Sequence, residues 1–422
     1  MKSSFWLRYL GVFSVMITML RGQESRVWTS QQGSTIEARL QKLEPAHVTL
    51  QSKENKVVRL AIADLSLVDR IHLIESANAP ETILAAGEMR LTEKFVKVDE
   101  SAWKKLPTKF ALGESSSVGE FEQWQTPHFL VVYAGDVKAP VVAETAERLW
   151  LGMAATYPQF RSEWGEKRRV IFVIEDAEAY QELGDWYGGL LAEKAQDAES
   201  QLILQQHKSS WPQLASAVIE LPQKMANEGK YHSLATVIRA ENGRSWRKAF
   251  PAMPTHALAS DLMKHWFGPV RADRGVGYFA LATGQGYYKE IQLAGLTETM
   301  LMEIGGSGGD EISTKSGFEN GSAWPRLLKS GVKRGKITPK LADIYGLSPD
   351  GLTAENLVLM HSLMHYCQST PKRLAAFARL TLKVRENQGL PTVEEMAKIY
   401  GFDSATAMEE DWINYLKSSE FK

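Results

Sequence analysis

Short runs of alternating polar and apolar residues fill the stretch 26–74. Ser34-Thr35-Ile36-Glu37-Ala38-Arg39-Leu40 is followed by Val48-Thr49-Leu50 and Val57-Val58-Arg59-Leu60, with Gly33, Glu44-Pro45 and Glu54-Asn55 between them. A period of two broken by turn residues predicts a small antiparallel sheet or barrel. Ser66, with Asp69 three residues on, predicts a capped helical turn after it. The stretch 75–120 reads as a connector, because Ala77-Asn78-Ala79-Pro80 and residues 113–119 (GESSSVG) have turn and linker compositions. Within it, Thr92 to Lys105 fits a strand or a short helix.

The pattern changes at Trp124. Residues 128–133 (HFLVVY) and 169–174 (RVIFVI) are continuous apolar runs of strand length, and 141–157 is apolar at helical spacing. A helix bearing Tyr180 follows the second run, and this strand–helix–strand–helix order predicts an α/β or α+β layer. Leu202-Ile203-Leu204 and residues 235–238 (ATVI) read as strands inside a less legible region, 190–250. The last third reads as helical over 357–368, 372–385 and 393–400, and Asp403 is the expected cap of a final helix carrying Trp412 and Leu416.

Composition narrows the classes. With 422 residues, 44% hydrophobic and 23% charged, the chain has room for two or three domains with a buried core. With a formal net charge of −1, no acidic or basic bias points to DNA, other nucleic acid or an anionic membrane surface. Lys2 and Arg8 precede an apolar run, residues 9–20, short for a bilayer span but suited to a signal peptide, with Gly22 and Ser25 near a cleavage point. Residues 1–22 are therefore expected to direct export to a periplasmic or extracellular location, with membrane contact only through this segment if it stays uncleaved. Cys367 is the only cysteine, so no internal disulfide and no cysteine zinc site can form, and its apolar neighbours predict a buried thiol.

The N-terminal letters carry a resemblance. Arg26, Trp28, Thr29, Gly33, Ile36, Ala38, Val48 and Leu50, closed by Leu65-Ser66-x-x-Asp69, resemble the Sla homology domain, a small SH3-like barrel of an endocytic adaptor. The resemblance implies a β-barrel over 23–78 that binds short peptides, a linker over 79–123, and an adaptor role.

Residues 124–420 resemble the peptidase MA-like domain of the gluzincins. The likeness rests on Phe129-x-Val131-x-Tyr133, a Tyr180-bearing helix, the helix 255–267, the segment Gly284-x-Gly286-Tyr287-Tyr288-x-Glu290 and the Trp412-bearing final helix. It implies an α+β zincin-like fold with a helical C-terminal part. A working site needs two His at i and i+4, a Glu after the first, and a third ligand from a second helix. Those letters are missing here. One register offers His256, Ala257 and Ser260; the other offers Ser260, Asp261 and Lys264; and Thr283 stands where the third ligand, a Glu, belongs. A neutral hydroxyl or an ammonium is a poor zinc ligand, so the resemblance implies a catalytically inactive domain with no metal and no cofactor. Its cleft, with His265, Tyr287 and Tyr288 as candidate lining, would hold a peptide or protein ligand such as an envelope protein. The alternative is a zinc metallopeptidase with a non-standard ligand set drawn from His256, His265, His361 and His365. His361 and His365 share the i, i+4 spacing but sit among Leu357, Leu359, Met360, Leu363 and Met364, which suits a packed helix. Gly305-Gly306-Ser307-Gly308-Gly309 has the letters of a nucleophile elbow but follows Leu296–Ile304, a helical reading, and so reads as a loop.

Overall fold

The computed structural model describes residues 24–86, 92–96, 98–112, 121–240, 249–299, 318, 320–349 and 352–422. The signal-like segment 1–22 and the Gly305–Gly309 loop lie outside these residues.

The alternating runs of the N-terminal stretch form four antiparallel strands in chain order: β1 (Arg26–Thr29), β2 (Thr35–Leu43), β3 (His47–Ser52) and β4 (Val57–Ala61). Alternation puts Trp28, Ala38, Leu40, Val48 and Leu50 on one buried face. Trp28 Nε1 donates to the Ala38 carbonyl at 2.9 Å, which satisfies the indole inside that face. Among the described residues β4 does not pair with β1, so the sheet is open rather than a closed barrel. Its return contact is instead a single bridge between Ser30 and Leu65.

Helix α1 (Leu67–Ala77) starts at that bridge, with the Ser66 hydroxyl accepting from the Asp69 amide at 3.2 Å. Asp69 then reaches back to the sheet. Its Oδ2 accepts from the Thr29 amide at 2.7 Å and from Ser66 Oγ at 2.8 Å, and its Oδ1 is 2.9 Å from Arg26 Nη2. The Leu-Ser-x-x-Asp letters thus clamp α1 to β1, and Ser66 and Asp69 are both buried.

The described parts of the stretch 79–123 are packed structure rather than a free connector. Helix α2 (Thr92–Phe95) carries Glu93, whose Oε1 is 2.6 Å from Lys289 Nζ in a nearly buried ion pair. Strand β5 (Lys104–Lys105) and the bridge between Phe110 and Phe121 extend the larger sheet, and Phe110 packs edge-on against Phe172. The reading of this stretch as a linker missed these contacts because Phe110, Leu112 and Phe121 are isolated apolar residues with no period between them.

The larger sheet has the order β5, β6 (Glu122–Gln125), β7 (Phe129–Ala134), β8 (Arg169–Ile174), β10 (Leu234–Arg239), β9 (Ser216–Glu220). β7, β8 and β10 run parallel, while β6 and β9 are antiparallel to their neighbours. The continuous apolar runs follow from burial of both faces. Phe129, Val131, Ile171, Val173 and Ile238 enter one core, and the alternate residues Leu130, Val132, Val170, Phe172 and Val237 enter the other.

The first face is covered by α3 (Ala139–Thr156), with α4 (Pro158–Trp164) following it; the second is covered by α5 (Ala177–Lys194), whose Tyr180 stacks on Trp211 at 5.0 Å. Leu202–Leu204, read as a strand, belongs instead to helix α6 (Ala198–Ser210), which opens on a reciprocal Asp197–Ser200 capping box and leaves Leu202 and Ile203 exposed. Three consecutive apolar residues have no period, and the cap decided the outcome. A short helix, α7 (Gln223–Gly229), joins β9 to β10.

The helical half contains α8 (Ala252–Phe267), α9 (Tyr278–Ala294), α10 (Trp324–Lys333), α11 (Leu341–Tyr345), α12 (Ala354–Gln368), α13 (Pro371–Asn387), α14 (Val393–Ile399) and α15 (Ala405–Lys417). The cap of α15 is Ser404, accepting from the Ala407 amide, and not Asp403. The helical reading of Leu296–Ile304 fails over its described part, since α9 ends at Ala294 with Gly295 as its cap and residues 297–299 are non-helical. α12 is buried around most of its circumference, and Cys367 is fully enclosed, with burial raising its thiol pKa to about 12. No helix among the described residues is long and apolar enough to cross a membrane.

The two sheets do not stand apart. Val68 and Ile71 of α1, with Leu84, belong to the main core, α1 lies on α13, and Glu75 pairs with Arg379 at 3.7 Å.

Candidate functional site

The helices expected to carry a metal site do lie side by side. Phe267 meets Tyr278 at one end, and His256 meets Tyr287 and Glu290 at the other, so α8 and α9 run antiparallel. The hairpin is set by its ends: α9 starts at Gly277, whose φ is +95° and where a Cβ would fall 2.2 Å from the Tyr345 ring. Close approach of the helices depends on Gly286, where a Cβ would lie 2.8 Å from His256 Nε2 and 2.9 Å from the His256 carbonyl. Gly286→Ala is therefore expected to force the helices apart and cost about 1–3 kcal/mol, read as a lower urea midpoint at unchanged slope.

His256, the first-register candidate, is committed to a buried polar knot. Its Nδ1 is 3.1 Å from Glu290 Oε2, and its ring meets Tyr287 edge-on at 4.3 Å. Glu290 is fully buried and accepts from Thr297 Oγ1 (2.8 Å), the Glu298 amide (2.7 Å), and the Thr299 amide and hydroxyl (3.3 and 3.2 Å). This carboxylate ties the end of α9 to the chain that follows it. Ser260 and Thr283 are buried on the facing helices. Tyr287 and Tyr288 are enclosed too: Tyr287 lies against Trp324, and Tyr288 meets His365 edge-on, so neither lines the cleft described next.

Asp261, Lys264 and His265 face elsewhere. They line a cavity of about 990 Å³ between the C-terminal half of α8 and the sheet, with Arg169, Val218, Leu234, Tyr278 and Arg385 on its other walls. Val218 belongs to β9, the outermost strand, whose far side pairs with no strand among the described residues. At the centre, Asp261 Oδ2 accepts from Thr236 Oγ1 at 2.8 Å and lies 3.6 Å from Arg169 Nη2, while Asp261 Oδ1 is 3.5 Å from Lys264 Nζ. The Arg169 Nε–H donates to Thr236 Oγ1 at 3.0 Å. Burial lowers the Arg169 pKa, and the nearby Asp261 works against that. His265 packs at 4.9 Å from both Trp164 and His232, and its pKa is pushed down to about 3 by burial first, then by Arg169 and His232. His265 is thus a neutral, aromatic wall at physiological pH.

His361 and His365 lie one turn apart on α12 and meet edge-on, with ring centroids 5.9 Å apart. His365 Nδ1 meets the Tyr415 hydroxyl at 2.5 Å, and His361 is surrounded by Trp324, Phe421 and its own helix. Among the described residues no three His, Cys, Asp or Glu side chains converge as a metal group would require. The donor set at the expected zinc positions does not fit the ion: Lys264 brings a cation, Ser260 and Thr283 bring neutral hydroxyls, and His256 is held against Glu290.

Arg169 and Thr236 were not singled out by pattern, and Glu290 was named only as the last letter of the segment 284–290, with no role given to it. Arg169 had a signal, a charge heading an otherwise apolar run destined for the sheet interior, where a buried arginine needs partners. Glu290 stood in a recognised segment, but its part in the knot had no signal, because its partners Thr297, Glu298 and Thr299 come from a stretch without a motif. No protein-family model matches the chain, and no curated protein or solved structure matches it.

Proposed function

We propose that the chain is an exported peptide- or protein-binding protein, with an SH3-like N-terminal module and a gluzincin-like domain that has lost its hydrolytic site. The observation that carries the reading is the cleft beside β9. A free strand edge next to a partly apolar cavity offers backbone hydrogen bonds to an extended chain and pockets for its side chains. The antiparallel pair α8 and α9 supports the gluzincin likeness, and the residues at its ligand positions support inactivity. The α1 clamp supports the likeness of the small sheet to an SH3-like module, and it gives Ser66 and Asp69 an internal role rather than a ligand-contacting one.

The test uses the purified protein with unfolded casein. Casein is expected to be retained without new fragments, with no zinc in stoichiometric amount by elemental analysis. Casein fragments that vanish on adding a chelator would instead establish a metallopeptidase.

A further inference from the structure

The cleft carries an unspent cation. Arg169 is buried to 2% exposure, and its Nη1 has no hydrogen-bond partner among the described residues. A buried guanidinium nitrogen left without an acceptor is costly, and such groups in folded proteins are otherwise almost always satisfied. The charges around it do not cancel. Among the described residues Arg385 is paired with Glu163, and Arg271 with Asp273, whereas Arg169 and Lys264 share the carboxylate of Asp261. Among the described residues one positive charge remains over, at the wall of a cavity that Val218 of the edge strand β9 helps to line. Neutral His265 and Tyr278 complete the wall without adding an acid.

We propose that this cavity holds a carboxylate of an extended peptide, received by Arg169 Nη1 and Lys264 Nζ while the peptide backbone runs beside β9. The inference rests on the peptide-cleft reading and adds to it the chemistry of the ligand. A carboxylate is the acceptor a planar guanidinium matches, and hydrogen bonds between charged partners are the stronger kind. That carboxylate is either the peptide's C-terminus or an acidic side chain, and the experiment separates the two.

Three probes are titrated into the full protein at pH 7: acetyl-Ala-Val-Ala-Val-Ala as the free acid, the same peptide as its C-terminal amide, and the amide of acetyl-Ala-Val-Glu-Val-Ala. Binding is followed at the His265 Cε1–H resonance, assigned with His265→Asn. At least one acid is expected to bind tenfold or more tightly than the neutral amide and to move that resonance, and the tighter acid identifies the source. Lys264→Met, at a partly exposed residue, is expected to weaken the acid by about tenfold relative to the neutral amide. Arg169→Met and Asp261→Asn are combined with Lys264→Met so that no charge is left stranded at the centre of the cleft, and this triple variant should abolish the preference for the acid. Equal binding of all three peptides overturns the carboxylate assignment and leaves the peptide cleft standing. Binding of none overturns both. An acid preference that survives in the triple variant places the carboxylate elsewhere and overturns the proposal.

Discussion

Glu290→Ala is expected to destabilise the protein by about 3–5 kcal/mol, enough to leave a marginal domain unfolded at ambient temperature. The size follows from what the carboxylate holds. It is fully buried and accepts from two amides and two hydroxyls, with the His256 ring against its second oxygen. Alanine would strand those donors in a dry site, and each unpaired one costs about 1–3 kcal/mol. Glu290→Gln keeps the shape but replaces one acceptor oxygen with a donor, so it should recover part of the loss and no more. Chemical denaturation of the three proteins decides the matter. A Glu290→Ala variant within about 1 kcal/mol of the parent would show that the knot is dispensable.

The second large effect concerns Asp69. Alanine there leaves Arg26 without its partner and the Thr29 amide without its acceptor, at an expected cost of about 3–5 kcal/mol. The same carboxyl should also impose a pH dependence. Burial raises its pKa from 3.8 to about 6, against the opposing pull of Arg26, the Thr29 amide and Ser66. Because the folded form holds its proton to a higher pH than the unfolded chain, this group's contribution is greatest below pH 3.8 and is lost as pH rises through about 6. The loss amounts to about 3 kcal/mol. Other carboxyls, such as Glu44 and Glu122, are shifted the opposite way, so the comparison must be made against Asp69→Asn. The stability of the parent minus that of the variant should shrink between pH 4 and 6. A flat difference, or an Asp69 carboxyl that titrates near pH 4 by carbon-detected NMR, would refute the assignment.

The elements with an unbroken period were legible from sequence. The strands at 128–133 and 169–174, the helix after the first of them and the helices that close the chain all declare themselves by spacing alone. What escaped was structure made by partners distant in sequence. β5 and β9 at the sheet's edges, and β6 just inside β5, are short pieces whose residues look like loop until a neighbour pairs with them. The site divided in the same way. Sequence pointed to α8 and α9 and to the letters at His256, Ser260, Asp261, Lys264 and Thr283. It could not tell that helix rotation sends His256 into a polar knot with Glu290 while Asp261 and Lys264 face the cleft. Nor could it supply Arg169 or Thr236, which come from two strands brought together only by the parallel pairing of β8 with β10.

The seating of α1 on α13 bears on how the molecule comes apart. A module joined by a slack tether melts by itself, but here Val68, Ile71 and Leu84 are common property of both halves. Severing the chain near Asn78 would bare an oily scar on each fragment, so the small sheet is no detachable bead. Whatever steadies one half thereby lends resistance to the other, and occupancy at either end is felt as a change in melting of the whole.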